Sequence, residues 1–275
     1  MEEILNLVGH TPLVILQREP ARIAAKLEWC SVGGSVKDRA AAYMLWDALH
    51  RGLLCPGDRV VEATSGNTGI GLAWVGKYLG LRVTLVMPAD TPLKKQQLPQ
   101  LFGVQVELTP PQLGMAGANA RAEELPGFHP RQFENPANVQ AHLETTGPEI
   151  LTQAGKVDVF VSGIGSGGTL TGVGRFLKRN CPGVHIAAVE PLGNISGIGP
   201  NFRPPILDER VIDETIPITL QQAQQAAARA AEHWGIGPGP SGGANLAAAL
   251  SLGQRPEFYG KTIATILPDH MERYL

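Results

Sequence analysis

The sequence predicts an α/β protein of two lobes, each a mainly parallel, twisted sheet with helices on both faces. Three observations carry this. Short β-rich runs alternate with helical stretches along the chain, the pattern of repeated βα units. These runs fall into two groups, near 59–109 and 157–267. Glycine turns join several strand ends to helix starts, and ligands of such sheets gather at the carboxyl ends of the strands.

The elements follow in order. Residues 35–50 read as a helix: Ser35 offers an N-cap, Asp38 completes a capping box and Gly52 follows the end. Residues 59–64 (RVVEAT) are a strand that leads through a glycine turn into a helix ending near Tyr78. Residues 82–87 are a buried strand stopped by Pro88, and 91–102 a helix that Pro99 should kink or shorten. A strand at 104–109 and a helix at 116–125 follow. Residues 136–154 are mostly helical, with a break expected at Gly147-Pro148. A strand at 157–162 enters a glycine loop and a helix to about Arg179, and 185–190 is the next strand. Gly and Pro make 194–205 a surface loop, and 210–218 a strand follows it. Residues 219–234 form a helix between a Thr219/Gln222 capping box and Gly235. A short Ala-rich helix follows Ser241, and 262–267 is the last strand.

Composition narrows the function classes. With 275 residues, 43% hydrophobic and 17% charged, the chain has ample material for a buried core. A net charge of −2 gives no basic field for nucleic acid or an anionic membrane. The opening MEEILNLVGHTPLV is acidic where a signal peptide is basic, and no run approaches the ~18 apolar residues of a membrane helix. A soluble cytoplasmic protein is expected. Cys30, Cys55 and Cys181 are odd in number, widely spaced and without a CxxC, so neither a disulfide framework nor a zinc site is expected, but reduced and mostly packed thiols. The seven histidines are scattered and read as structural or surface residues.

Three loops carry the chemistry. The first is Gly163-Ile-Gly-Ser-Gly-Gly-Thr169, directly after the strand VDVFVS. Glycines let backbone N–H groups approach an anion, and the following helix adds its positive end, so a phosphate fits. A tight βα turn is the plain alternative. Gly163, Gly165 and Gly168 also satisfy GxGxxG, with Glu190 ending the next strand as a dinucleotide site requires, and this loop alone does not separate the two. The second is Thr64-Ser-Gly-Asn-Thr68, whose hydroxyls, amide and helix-start N–H groups suit a carboxylate; simple capping by Ser65 or Asn67 competes with this. The third is Gly33-Gly-Ser-Val-Lys37-Asp-Arg39. A cation in the first turn opposes the helix dipole, and Arg39 is close, so both favour the neutral amine that attacks a carbonyl. Lys37 is therefore a Schiff-base candidate, against a solvated lysine neutralised by Asp38.

Together these loops resemble the cysteine synthase (O-acetylserine sulfhydrylase) family of pyridoxal-phosphate (PLP) enzymes, with B-type features. The matching stretches are Gly9-His-Thr-Pro-Leu13, GGSVKDRAA, EATSGNTGIGLA, QFENPANVQAH, TTGPEI, SGIGSGGTLTGVGRFLK and ILPDHMERYL. They are collinear and span nearly the whole chain. The resemblance implies a tryptophan synthase β-like fold of two three-layer lobes with PLP in the cleft between them. It implies a smaller, mobile lobe at 36–140 and a larger lobe, 1–35 with 141–275, carrying the phosphate loop. Lys37 would hold PLP as a Schiff base and act as general base. Gly165, Ser166, Gly167, Gly168 and Thr169 would hold the phosphate, Asn67 the ring oxygen and Ser241 the pyridine nitrogen. Thr64, Ser65, Gly66, Thr68 and Gln132 would grip the substrate carboxylate. The implied reaction is replacement of the β-substituent of O-acetyl-L-serine by sulfide, giving L-cysteine, or by thiosulfate, giving S-sulfocysteine. The family is typically homodimeric, and whether a serine acetyltransferase docks is not legible here.

Departures from the family pattern bear on substrate choice. Ser31-Val32 replaces the usual Asn-Pro, Ser241-Gly242-Gly243 replaces Ser-Ser-Gly, and His270-Met271 replaces Ser-Gly near the cofactor ring. The helix after Pro88 lacks the usual Ser-x-Glu-Arg-Arg. Arg203, in the short 194–205 loop, is a candidate to attract an anionic nucleophile, or simply a solvent-exposed arginine. Cystathionine formation, serine/threonine dehydration, a PLP-binding paralogue with a regulatory role and a NAD-linked dehydrogenase are the competing readings.

Overall fold

The computed structural model describes residues 3–275. The chain opens with a short helix, α1 (Glu3–Asn6), and the antiparallel strands β1 (Leu13–Gln17) and β2 (Arg22–Leu27). Neither strand was expected from the sequence. The alternating elements follow as α2 (Lys37–His50), β3 (Arg59–Ala63), α3 (Asn67–Tyr78), β4 (Arg82–Pro88), α4 (Leu93–Gln100), β5 (Gln105–Thr109) and α5 (Gly114–Glu124). Next come α6 (Pro136–Ala141), α7 (Gly147–Ala154), β6 (Val159–Gly163), α8 (Gly168–Asn180) and β7 (His185–Leu192). The chain closes with β8 (Glu214–Thr219), α9 (Leu220–Trp234), α10 (Pro240–Gly253) and β9 (Thr262–Leu267).

The described chain divides into two compact units. One holds residues 3–8 and Lys37–Asn138, the other Gly9–Val36 and Val139–Leu275. In the first, β3, β4 and β5 form a parallel sheet in that order. Val60, Leu85 and Met87 face a core shared with Leu45 of α2 and Leu72 of α3, while Val61 and Val86 face Ala118 and Ala122 of α5. The sheet is thus covered on both faces, as parallel strands require. Ile4 and Val8 are buried in the same core as α2, which places the first described residues with this unit.

The second unit is built on a six-stranded sheet ordered β1-β2-β9-β6-β7-β8, parallel except for β1. Its faces bury Ala223, Ala226, Leu246 and Leu252 of α9 and α10 on one side, and Ile150, Leu170, Val173 and Leu177 of α7 and α8 on the other. Leu246 and Leu252 add roughly 1.5–3 kcal/mol each on the scale of a fully buried apolar side chain.

Several elements differ from expectation for local reasons. The break foreseen at Gly147-Pro148 is a π turn, His142–Thr146, followed directly by α7. The wider turn opens the ladder just before Pro148, which has no N–H to give. The strand foreseen from 210 begins only at Glu214, because Glu209–Val211 forms a 3₁₀ turn whose Arg210 N–H donates to the Asp208 side chain. The helix at Ser241 is long rather than short, starting at Pro240, a residue preset for a first helical turn. Cys30 and Cys55 are exposed, and only Cys181 is half-buried, correcting the expectation of mostly packed thiols. Cys30 ends a 3₁₀ turn and Cys55 lies in the turn before β3, both away from either core. Among the described residues no helix is long and apolar enough to cross a membrane.

Candidate active site

In the first unit the chemistry gathers after β3. Thr64 is buried; its N–H donates to the Val86 carbonyl (3.0 Å) and its Oγ1 accepts from Gly66 N (3.2 Å). Helix α3 starts at Asn67 with Gly66 as an extended N-cap and no side-chain cap bond. Gly66 has no side chain with which to cap the helix, and a helix start of this kind suits an anion. Thr68, 3% exposed, donates to Gln132 Oε1 at 2.6 Å. Two residues from separate motifs, both expected at the substrate carboxylate, are thus brought together.

Gln132 is itself held. Its N–H donates to Glu62 Oε1 (3.3 Å), its carbonyl accepts from Asn138 Nδ2 (2.8 Å), and the preceding Arg131 N–H donates to Glu62 Oε2 (3.0 Å). Burial pushes the Glu62 carboxyl up to about 7, against the opposing pull of the Gln132 and Arg131 hydrogen bonds.

Lys37 is the first residue of α2 and is half-buried. Its position is set by close helix packing. A Cβ on Gly71 of α3 would lie 3.0 Å from the Lys37 carbonyl oxygen and 3.1 Å from Ala41 Cβ, so only glycine lets the two helices approach this far. Asp38, beside it and fully buried, accepts from Trp74 Nε1 of α3 at 3.1 Å.

In the second unit β6 delivers the glycine loop. Gly163 N donates to Asn245 Oδ1 (2.7 Å), and Asn245 Nδ2 donates to the Ile266 carbonyl (2.8 Å), so one α10 side chain clasps the ends of β6 and β9. Gly165 is half-buried, while Ser166, Gly167 and Gly168 are buried. Gly167 is the N-cap of α8 in the left-handed region (φ +86°), again with no side-chain cap. A Cβ there would stand 3.0 Å from Pro204 Cγ. Thr169 Oγ1 lies 3.2 Å from His142 Nε2, and His142 Nδ1 lies 2.9 Å from Thr146 Oγ1. The wall over Gly167 is pinned by Asp208, whose N–H donates to Thr171 Oγ1. Arg210 and then Arg175 hold its carboxyl well below the usual range.

Ser241 is buried in the first turn of α10, with Gly197 of the 194–205 loop against its hydroxyl. The Gly239 N–H just before it donates to the Asp269 carbonyl, and Tyr274 Oη donates to Asp269 Oδ2 at 2.5 Å. Burial, with Asp269 beside it, raises the Tyr274 phenol. His270 and Met271 are accommodated because Gly237 has no side chain: a Cβ there would lie 2.4 Å from Met271 Sδ and 3.0 Å from His270 Nε2. The His270 ring also packs edge-on to Trp29.

Arg203 is exposed, as one of its two readings had it. Arg203 donates from both terminal nitrogens to Glu190 Oε2 (3.1 Å each), which occupies it in an internal pair. Glu190 Oε1 accepts from Asn201 N (2.6 Å), so the carboxylate that a dinucleotide ribose would need is already engaged. Sequence reasoning missed Glu62, His142 and Asn245. Only the i, i+4 pair His142/Thr146 left a faint sign in the sequence. Among the described residues no group of three or more His, Cys, Asp or Glu could hold a metal.

A phosphate-bearing cofactor fits this architecture. The left-handed Gly167, the close wall at Pro204 and the uncapped start of a 13-residue helix form a backbone cradle with no room for a side chain. Comparisons agree. The family described as "Pyridoxal-phosphate dependent enzyme" matches residues 4–269. Cysteine synthase A of Escherichia coli (strain K12) is 43% identical over 296 residues, covering 98% of this chain and 92% of that protein. The crystal structure of cysteine synthase from Entamoeba histolytica superposes with a TM-score of 0.94 at 38% identity, covering 98% of this chain and 88% of the other. That of O-ureido-L-serine synthase gives 0.93 at 41% identity, covering 99% and 92%. The chain belongs to the cysteine synthase family of pyridoxal-phosphate-dependent enzymes, and pyridoxal phosphate is its cofactor.

Proposed function

We propose that this protein forms L-cysteine from O-acetyl-L-serine and sulfide by β-replacement. The observation that carries the reading is the Thr68–Gln132 contact, a buried pair of polar groups at an uncapped helix start and suited to an amino-acid carboxylate. It is supported by the identity to cysteine synthases along nearly the whole chain.

When bound, pyridoxal phosphate supplies the electron sink that lets the α-proton and the β-substituent leave. The protein's residues do the rest. The Lys37 amine anchors the cofactor covalently, and as general base takes and returns the α-proton. Gly165, Ser166, Gly167, Gly168 and Thr169 hold the phosphate through backbone N–H groups and a hydroxyl. Asn67 would donate to the ring oxygen. Ser241 would face the ring nitrogen with a hydroxyl too weakly acidic to protonate it, which suits replacement over transamination. Thr64, Ser65, Gly66, Thr68 and Gln132 bind and orient the substrate carboxylate. Residues 3–8 with Lys37–Asn138 form the lobe that grips substrate, and Gly9–Val36 with Val139–Leu275 the lobe that holds phosphate. The working form is a cytoplasmic homodimer.

The similarity to O-ureido-L-serine synthase favours a second reading, in which the nucleophile is not sulfide. Thiosulfate, giving S-sulfocysteine, is one such nucleophile. Purified protein should be yellow, and Lys37→Ala should lose the colour on dialysis. O-acetyl-L-serine should change the spectrum, and sulfide should restore it with release of cysteine. A colourless protein, or one whose spectrum ignores O-acetyl-L-serine, overturns the reading. Restoration by another nucleophile but not by sulfide establishes the second.

A further inference from the structure

We infer that Glu62 is a positioning residue for amino-acid substrate: its buried carboxylate holds the backbone of the Arg131–Gln132 turn and so aims Gln132 at the substrate carboxylate beside Thr68. This rests on the carboxylate role proposed for Thr68 and Gln132.

The argument is geometric. Glu62 lies in β3, two residues before Thr64, and is 6% exposed. Each carboxyl oxygen accepts a different backbone N–H: Oε2 from Arg131 at 3.0 Å, Oε1 from Gln132 at 3.3 Å. The turn that supplies these donors is strained, for Arg131 has φ +50°, a conformation that non-glycine residues adopt only when held. A bidentate acceptor on a rigid strand is such a hold. From there the chain of contacts is short. The Gln132 carbonyl accepts from Asn138 Nδ2, leaving its side chain to receive the Thr68 hydroxyl at 2.6 Å. Glu62, the Arg131–Gln132 turn and Thr68 all belong to the same unit. A cross-strand pairing alone would not need a carboxylate here. Burial alone would favour an apolar residue, as at the preceding Val60 and Val61. The buried carboxyl is explained by the two N–H groups that its oxygens satisfy.

Glu62→Gln tests this. The amide keeps the shape and one acceptor but turns an NH₂ toward the second backbone N–H, so the turn loses one anchor. In the holoenzyme the KM for O-acetyl-L-serine should rise about tenfold, with kcat at saturation within about twofold and the KM for sulfide unchanged. Amide hydrogen exchange in a peptide covering residues 128–135 should quicken at least tenfold, while a control, Glu232→Gln on exposed α9, leaves both readings alone. Combined with Gln132→Ala, the KM effect should not multiply, because both changes act through one side chain. If Glu62→Gln does not fold, Glu62→Asp, which draws the charge back by one methylene, gives the same pair of readings. Unchanged exchange at 128–135, or KM effects that multiply in the double variant, overturns the inference. Wild type that ignores O-acetyl-L-serine sinks the proposed reaction instead, and the exchange result still decides whether Glu62 holds the turn.

Discussion

Lys26 Nζ lies 2.7 Å from Glu149 Oε2, and no part of the Lys26 side chain reaches solvent. The same ammonium donates to the Thr11 carbonyl (2.5 Å) and to Gln153 Oε1 (2.9 Å), and Glu149 Oε1 accepts from His10 N (3.0 Å). Thr11 in turn donates to the buried Glu28. The residues before β1 are thus tied to α7 through a charge at the end of β2. Removing one partner of a buried pair leaves the other uncompensated, at a cost of about 3–5 kcal/mol. Lys26→Met should lower unfolding stability by that order in urea titrations followed by circular dichroism. Lys26→Met with Glu149→Gln should cost clearly less than the sum of the two single changes.

Gly167→Ala should weaken cofactor retention. The left-handed backbone penalises a side chain by roughly 1–2 kcal/mol, and the new methyl meets Pro204 Cγ at 3.0 Å. PLP titration by absorbance should show at least tenfold weaker binding. Gly167→Ala with Pro204→Ala should recover only part of the loss, since the backbone strain remains.

His142 reaches the same site from the π turn. Its Nε2 contact to Thr169 and Nδ1 contact to Thr146 lie in a nearly waterless place, with His142 1% exposed. His142→Phe keeps the bulk and removes both partners. A lost hydrogen bond of about 1 kcal/mol predicts several-fold weaker PLP binding, read by the same titration, with secondary structure unchanged by circular dichroism.

Glu62 should also leave a mark on stability. Its carboxyl is raised from an ordinary 4.5 to about 7, so the folded state holds that proton more tightly than the unfolded chain. The stabilisation from the protonated form is fully present below about pH 4.5 and is lost as pH rises through about 7. The full span corresponds to about 3 kcal/mol at 1.36 kcal/mol per unit. Urea titrations across pH 4.5–8, followed by fluorescence of Trp46 and Trp74 in the same unit, should show this loss in wild type and a flatter profile in Glu62→Gln. Equal slopes in both proteins would contradict it.

What was legible in the sequence was local. The Thr219/Gln222 capping box and the left-handed Gly235 stand as read, because a cap is written within a few residues. Pro99 falls inside the last turn of α4, shortening that helix as expected. Strands β1 and β2 escaped notice because β2 (RIAAKL) carries a charge at Lys26 among alanines that do not announce a strand. That lysine is buried only because Glu149 and Gln153 arrive from α7. The glycine loop and the Thr64–Thr68 turn were readable as candidate anion sites, being single motifs. Their supports were not. Asn245 serves a backbone group 82 positions away, and Glu62 serves a turn about 70 positions away. Sequence spacing carries no trace of such pairs until the chain has folded.

The missing side chain at Gly71 has a practical consequence. The contact it permits is to the main chain of Lys37 and not to its amine. A larger residue at 71 would therefore move the Lys37 amine, proposed to hold the cofactor, bodily and without altering its chemistry. Position 71 offers a mechanical adjustment of where that nitrogen stands, separable from any adjustment of how basic it is.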